Sequence, residues 1–283
     1  MIQLMPAERK AVSDYIYSIS AVTLDDSKGY LIEGRLAHLV QDLNLSSYGQ
    51  LVLRARSDAT GGLNRKIVDA ITTGETLFFR DSAPFEALRH KVIPDLIDRR
   101  SRDRSAAPIR IWSAACSTGQ EVYSIAIMLK ELLGDPAKYN IRILGTDISD
   151  QAVTRASRGI FSPVEMSRGM PPNLRDKYFV TRGDEWQIRE DVRALASFKS
   201  LNLMKDFSSL GRFDIICCRN VAIYFSEPDR IDLFRRIERS LERGGYLFIG
   251  AMESLSGTSP QFESQRHVRA VYYRVKAAVR SAS

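Results

Sequence analysis

Cysteine and histidine are scarce in this chain, with three of each in 283 residues. Cys217 and Cys218 are adjacent and poorly placed to bridge each other, and an odd total makes no disulfide framework. Both they and Cys116 sit in or beside apolar runs, as buried thiols do. His38, His90 and His267 are scattered and supply no zinc-ligand spacing, so no metal site is expected. No uninterrupted apolar run reaches about 18 residues, which argues against a membrane span. The opening Met1-Ile-Gln-Leu-Met-Pro6 has neither a basic start nor an apolar signal core, which predicts a cytoplasmic protein. The Gly-x-Gly-x-x-Gly fingerprint of dinucleotide binding is missing too: Ala115 and Thr118 stand where its glycines would fall.

What is present is ample apolar content, 44%, and a net charge of +7. Residues 1–72 carry eight basic and eight acidic side chains, so the excess belongs to the remainder. Part of it is concentrated in Arg99-Arg-Ser-Arg-Asp-Arg104. This run reads either as a solvated linker or as an attraction for an acidic partner, protein or nucleic acid.

Helical spacing of Val12, Tyr15, Ile16 and Ile19, and of Leu36, Leu39, Val40 and Leu43, predicts a bundle of three or four helices. Ile71 to Asp81 has no regular period, and a helix is expected at about 83–99. From Ile109 onward, apolar strands at 109–114, 141–146, 213–218 and 245–251 alternate with helices at about 119–133, 149–158 and 227–242. That alternation argues for an α/β domain with a mostly parallel sheet. Prolines and the alternating Trp186-Gln-Ile-Arg189 mark 159–200 as an inserted small β-subdomain, and alternation around Val268, Ala270 and Tyr272 predicts that 262–276 closes as an antiparallel hairpin with 245–251. The expected organisation is a helical domain over 1–72, a motif segment, helix and linker over 73–108, and the α/β domain over 109–283.

The most informative stretch is Ile109-Arg-Ile-Trp-Ser-Ala-Ala-Cys-Ser-Thr-Gly-Gln-Glu121. A strand ends in small residues and Gly119 just before a helix, letting a ligand approach the backbone where first-turn N–H groups are free. Asp147 ends the next strand, where an acid can hold ribose hydroxyls. Glu121 repels phosphate and suits a cationic or hydroxylated ligand, or else simply complements the helix dipole. Together these describe a site for an adenosine-type cofactor without phosphate, as S-adenosylmethionine is. A second cluster, Arg219, Asn220 and Tyr224, follows the strand 213–218. Arg219 can bind ligand or pair with an acid, Asn220 can bind ligand or cap a turn, and Tyr224 can face the site or be a core aromatic.

With Thr72-Thr-Gly-Glu-Thr-Leu-Phe-Phe-Arg80, Trp112 to Ser124, Thr146-Asp-Ile148, Asn202-Leu203 and Cys218-Arg-Asn-Val-Ala-Ile-Tyr-Phe225, the chain resembles the chemoreceptor protein-glutamate methyltransferases, the CheR family. The blocks follow family order and spacing, and the resemblance covers about residues 8 to 276. It implies a Rossmann-like S-adenosylmethionine-dependent methyltransferase domain with a small inserted β-subdomain, preceded by an all-α domain. The implied activity is methyl transfer to glutamate side chains on chemoreceptor cytoplasmic helices, leaving S-adenosylhomocysteine. By position, the implied cofactor contacts are Gly74, Thr76, Arg80, Glu121, Asp147, Asn202, Leu203, Asn220 and Val221, and the catalytic pair is Arg80 and Tyr224. Asp147 would take the ribose and Asn202 the adenine edge.

The chain departs from the family in three places. Many relatives have asparagine where Gly74 stands. Relatives carry several receptor-meeting arginines on the second helix; Arg35 matches one, whereas His38, Leu39 and Gln41 replace others. The stretch between Tyr178 and Ile188 is a few residues shorter than in relatives that grip a receptor's C-terminal pentapeptide, which suggests independence from that tether. The rival readings are a methyltransferase of nucleic acid or another acceptor, and a non-catalytic cofactor-binding signalling module. For nucleic acid, no aromatic-rich stacking strip accompanies the basic run, so that partner is not expected.

Overall fold

The computed structural model describes residues 3–24, 28–103 and 107–276. Arg104 of the basic run and the end of the chain after Lys276 lie outside the described residues.

Four helices, Pro6–Ser20, Gly29–Asp42, Tyr48–Ser57 and Gly62–Ile71, form the first unit. Their apolar stripes meet in one core that includes Val12, Ile16, Ile32, Leu36, Val40, Leu51 and Ile67. Of the eight residues read as stripe positions, Ile19 and Leu43 are only partly buried. Ser47 opens the third helix by accepting the Gln50 N–H at 3.2 Å, a side-chain cap for an otherwise orphaned donor. Residues 72–81 are irregular, as their lack of period implies. A helix then runs from Ser82 to Arg102, with a π turn over Leu88–Val92 just ahead of Pro94. Proline has no N–H to give and crowds the preceding turn, and a widened turn relieves both.

Among the described residues the α/β unit has ten strands: β1 Ile109–Ala114, β2 Ile141–Asp147, β3 Ile160–Phe161, β4 Phe179–Arg182, β5 Glu185–Ile188, β6 Ala196–Ser200, β7 Phe213–Cys218, β8 Leu241–Ile249, β9 Phe262–His267 and β10 Ala270–Val275. The main sheet runs β6-β2-β1-β7-β8-β10-β9, and β3-β5-β4 form a small separate sheet. β6, β2, β1, β7 and β8 are parallel, while β10 is antiparallel to both β8 and β9. Strand order reverses between β1 and β7, so their carboxyl ends open a crevice. Alternate residues feed two cores. Ile111, Ile143 and Ile215 pack with the helix Gln120–Leu133 on one face; Trp112, Ile216 and Leu247 pack with Glu227–Ser240 on the other. All three cysteines are buried and unbridged, and burial pushes each thiol well above its ordinary pKa.

Three expectations need correction. Residues 196–200 are not part of the insertion: β6 pairs parallel with β2 at the sheet's edge. The helix expected over 227–242 ends at Ser240, and β8 begins at Leu241 rather than 245. Arg99 and Arg100 are neither a solvated linker nor a free basic patch. They end the helix Ile93–Arg102 and clasp Asp214, whose side chain is 2% exposed. Arg100 Nη2 lies 2.9 Å from Asp214 Oδ1, and Asp214 Oδ2 accepts the Arg110 N–H at 3.0 Å. A buried carboxylate demands such partners, and this one recruits the helix to meet the need.

Candidate cofactor and methyl-transfer site

A cavity of about 340 Å³ lies where β1, β2 and β7 end, roofed by residues 72–80 and walled on one side by Ser20, Val22, Asp69 and Ile71 of the helical unit. The β1–helix loop forms its floor. Ala115 and Ser117 take left-handed φ of 59° and 51°, and Gly119 has φ 94°. Gly119 takes such a φ without cost, whereas Ala115 and Ser117 each carry a Cβ and are strained there. A Cβ on Gly119 would sit 3.0 Å from the Ala156 Cβ, so the glycine also allows the helix to pack closely. Five of the nine left-handed non-glycine residues among those described, Phe79, Asp81, Ala115, Ser117 and Asn220, surround this cavity or the loop above it. Strained backbone of this kind gathers where surrounding structure holds a site in shape.

Asp147 is 9% exposed; its Oδ2 accepts the Ser117 N–H at 2.8 Å and its Oδ1 the Ser149 N–H at 3.0 Å. Burial raises its pKa above the ordinary aspartate value, partly offset by these backbone donors. Glu121 accepts from Ser113 Oγ at 2.7 Å and from Arg219 Nη1 at 2.8 Å. Gly74 offers its carbonyl to Ser117 Oγ at 3.0 Å, tying roof to floor. Asn202 donates to the Ile19 carbonyl at 3.2 Å, and Leu203 is buried beside it with its carbonyl on Arg236. The Asn220 N–H donates to Glu253 at 2.8 Å. The Arg80 guanidinium donates to the Glu75 carbonyl at 3.1 Å, and Tyr224, 37% exposed, stands at the rim with its carbonyl accepting the Thr23 N–H at 3.0 Å.

Gly74, Thr76, Arg80, Glu121, Asp147, Asn202, Leu203, Asn220, Val221 and Tyr224 all line this cavity. Sequence reading missed the share of the helical unit: Ser20 and Val22 also line it. It left Arg219 open, and the structure buries that side chain against Glu121 and Asp81. Arg35 turns to the carbonyl of Thr72 at 2.8 Å, so it fixes the start of the roof. The segment between β3 and β4 braces the roof as well. Gly169 lies so close that a Cβ there would meet the Phe78 carbonyl oxygen at 2.0 Å, and Arg168 pairs with Glu75.

The donor set is poor in free cations. Of the four arginines lining the cavity, Arg155 pairs with Glu165, Arg168 with Glu75, and Arg219 with Glu121 and Asp81, while Arg80 donates to the Glu75 carbonyl. A carboxylate, Asp147, sits on the floor instead, suited to hydroxyl donors. The volume falls in the range of small-molecule cofactor sites. These features fit an adenosine-bearing, phosphate-free ligand.

Comparison with known proteins agrees. The profile of the CheR methyltransferase SAM-binding domain matches residues 74–271, and that of the CheR methyltransferase all-alpha domain matches residues 7–72. The chain belongs to the CheR methyltransferase family. It is 38% identical to a chemotaxis protein methyltransferase of Pseudomonas putida over 267 residues, covering 93% of this chain and 95% of that one. A chemotaxis protein methyltransferase of Vibrio cholerae is 37% identical over 282 residues, covering 97% and 99%. The cofactor of this CheR-family domain is S-adenosylmethionine, and the fold is the expected mostly parallel α/β sheet behind an all-α unit. No helix among the described residues is long and apolar enough to cross a membrane.

Proposed function

We propose that the protein methylates glutamate side chains on the cytoplasmic helices of chemoreceptors. The observation that carries this reading is the convergence of Asp147, Arg80 and the half-exposed Tyr224 on one cavity. Family membership and the names of the relatives supply the class of acceptor.

S-adenosylmethionine, when bound, supplies a methyl group on a positively charged sulfur. Asp147 would hold ribose hydroxyls, and Asn202 and Leu203 the adenine. Gly74, Thr76, Glu121, Asn220 and Val221 would line the remaining contacts. A glutamate acceptor (ordinary pKa about 4.3) is already ionised at neutral pH, so no general base is needed. Its oxygen forms the new bond to carbon as the sulfur–carbon bond breaks with its electrons left on sulfur. No proton moves. Opposite charges cancel along this path, so water, which favours the separated charges, must be kept out. The roof loop and Tyr224 would exclude it, and the fork of Arg80 would orient a carboxylate.

We further propose that tether binding is dispensable: β4 and β5 are joined through only Gly183 and Asp184, which leaves a short hairpin. A cytoplasmic location goes with such an acceptor. The nucleic-acid alternative loses support because Arg99 and Arg100 are turned to Asp214.

Purified protein, labelled methyl donor and receptor cytoplasmic fragments, with and without their C-terminal peptide, test both proposals. A base-labile label on both fragments is expected. A base-stable label would reject the ester, and labelling only of the tethered fragment would reject tether independence.

A further inference from the structure

Arg219 is the most deeply held charge near the cavity, with its side chain 3% exposed. Its guanidinium is shared between two elements that sequence separates widely. Nη1 donates to Glu121 Oε2 at 2.8 Å, on the first turn after the floor loop. Nη2 donates to the Arg80 carbonyl at 2.6 Å and to Asp81 Oδ2 at 2.9 Å, in the roof. Nε is buried with no hydrogen-bond partner among the described residues, and the group lies 5.9 Å from the Phe85 ring centroid. Removing a guanidinium from water is costly, and the return here is geometric.

The residues on either side of Arg80 are the strained ones. Phe79 has φ 50°, which a large aromatic rarely adopts, and Asp81 has φ 57° with ψ 96°, outside the left-handed helical well. Ser124 Oγ accepts the Phe79 N–H at 2.9 Å on one side, and Arg219 takes the carbonyl of Arg80 and the carboxylate of Asp81 on the other. The Arg80 main chain is thereby clamped, and its side chain lines the cavity, held to the Glu75 carbonyl. Burial pulls the Arg219 pKa down, and the charges of Glu121 and Asp81 more than restore it, so the clamp stays cationic.

We propose that Arg219 is a positioning residue for methyl transfer: it locks Arg80 in its working conformation and couples that lock to Glu121 on the floor. This rests on the reading of Arg80 as a group that contacts cofactor or acceptor. Lysine keeps the charge of Arg219 but lacks the fork, and cannot bridge Glu121 and the Arg80 carbonyl together.

The test is a double-mutant cycle of Arg219→Lys with Arg80→Ala, read as kcat on a receptor fragment and as calorimetric affinity for S-adenosylhomocysteine, which needs no acceptor. Arg219→Lys alone should lower kcat about 50-fold, yet less than about 3-fold when Arg80 is already alanine. Amide exchange at residues 78–82 of the ligand-free protein should accelerate at least about 10-fold while the sheet amides hold their rates. Should Arg219→Lys fail to fold, Asp81→Asn, which weakens the same clamp from its other end, should show the same cancellation. Equal losses in both backgrounds, or a wild-type rate in Arg219→Lys, would overturn the proposal. Wild type that binds the product and methylates no receptor fragment rejects the acceptor reading, and the affinity arm of the cycle still decides the clamp.

Discussion

Strand β7 ends in a buried ion cluster at each extremity, and the two are opposite in polarity. At its start Asp214 is an acid clasped by Arg99 and Arg100 from the helix that precedes β1. Beyond its end Arg219 is a base clasped by Glu121 and Asp81. The first holds the α-helical stretch Ile93–Arg102 against the sheet. The second holds irregular loops with left-handed backbone over a cavity. Clusters of similar chemistry therefore do different jobs, and the difference follows from which end of a parallel sheet carries the open crevice.

The comparison is sharpened most by Arg80→Ala, at the cavity end. It should lower kcat about 1,000-fold, or about 4 kcal/mol in the barrier, with thermal unfolding close to wild type. Near-normal turnover in a rate assay would remove Arg80 from the mechanism. At the other end, Asp214→Ala should destabilise the fold by about 3 kcal/mol, because Arg100 is left partly buried without its anion. Urea unfolding measures this. Affinity for S-adenosylhomocysteine below the transition should stay within about twofold of wild type, and a large loss would mean that the two ends are not separable.

A smaller effect is expected at Asp147. Its raised pKa means that the folded chain takes up this proton at a higher pH than the unfolded chain. Ionisation thus destabilises the fold above the folded-state pKa, and that penalty is relieved as pH falls through it. Ligand binding has the opposite dependence if it needs the carboxylate. Affinity for S-adenosylhomocysteine should therefore begin to fall while pH is still above the ordinary aspartate range near about 4. Asp147→Asn should weaken binding about 10-fold at neutral pH and flatten the profile. Calorimetry across pH checks both, and an unchanged profile in the variant would assign the dependence elsewhere.

The smallest effect concerns the wall contributed by the helical unit. Thr23→Pro removes the N–H given to the Tyr224 carbonyl. It should raise the KM for the methyl donor about threefold, as the loss of one partly exposed hydrogen bond implies. A change in kcat alone would show that the contact serves chemistry and not the pocket.

Strands β1 and β7 were legible to the residue because short apolar runs buried on both faces leave little ambiguity. β6 was not, because Ala196-Ser-Phe-Lys-Ser200 is an edge strand with mostly exposed side chains and no apolar run to betray it. Leu241 continues the apolar spacing of the preceding helix, which hid the start of β8. At the site, the small residues and Asp147 could be read locally, since their roles follow from a strand end and its turn. Arg219 could not. Its place depends on Glu121 and Asp81, 98 and 138 positions away, converging on one guanidinium. Arg99 and Arg100 escaped reading for the same reason, since their counter-charge is 114 positions downstream of Arg100.

The three sealed thiols have a practical corollary. Cys116 lies in the floor loop and Cys217 and Cys218 in the central strand, each protonated and shielded while the fold is closed. Alkylating reagents should consequently spare the folded protein and trap it only when it opens. Labelling kinetics then serve as a native clock for local breathing, with Cys116 timing the floor loop and the β7 pair timing loss of the sheet.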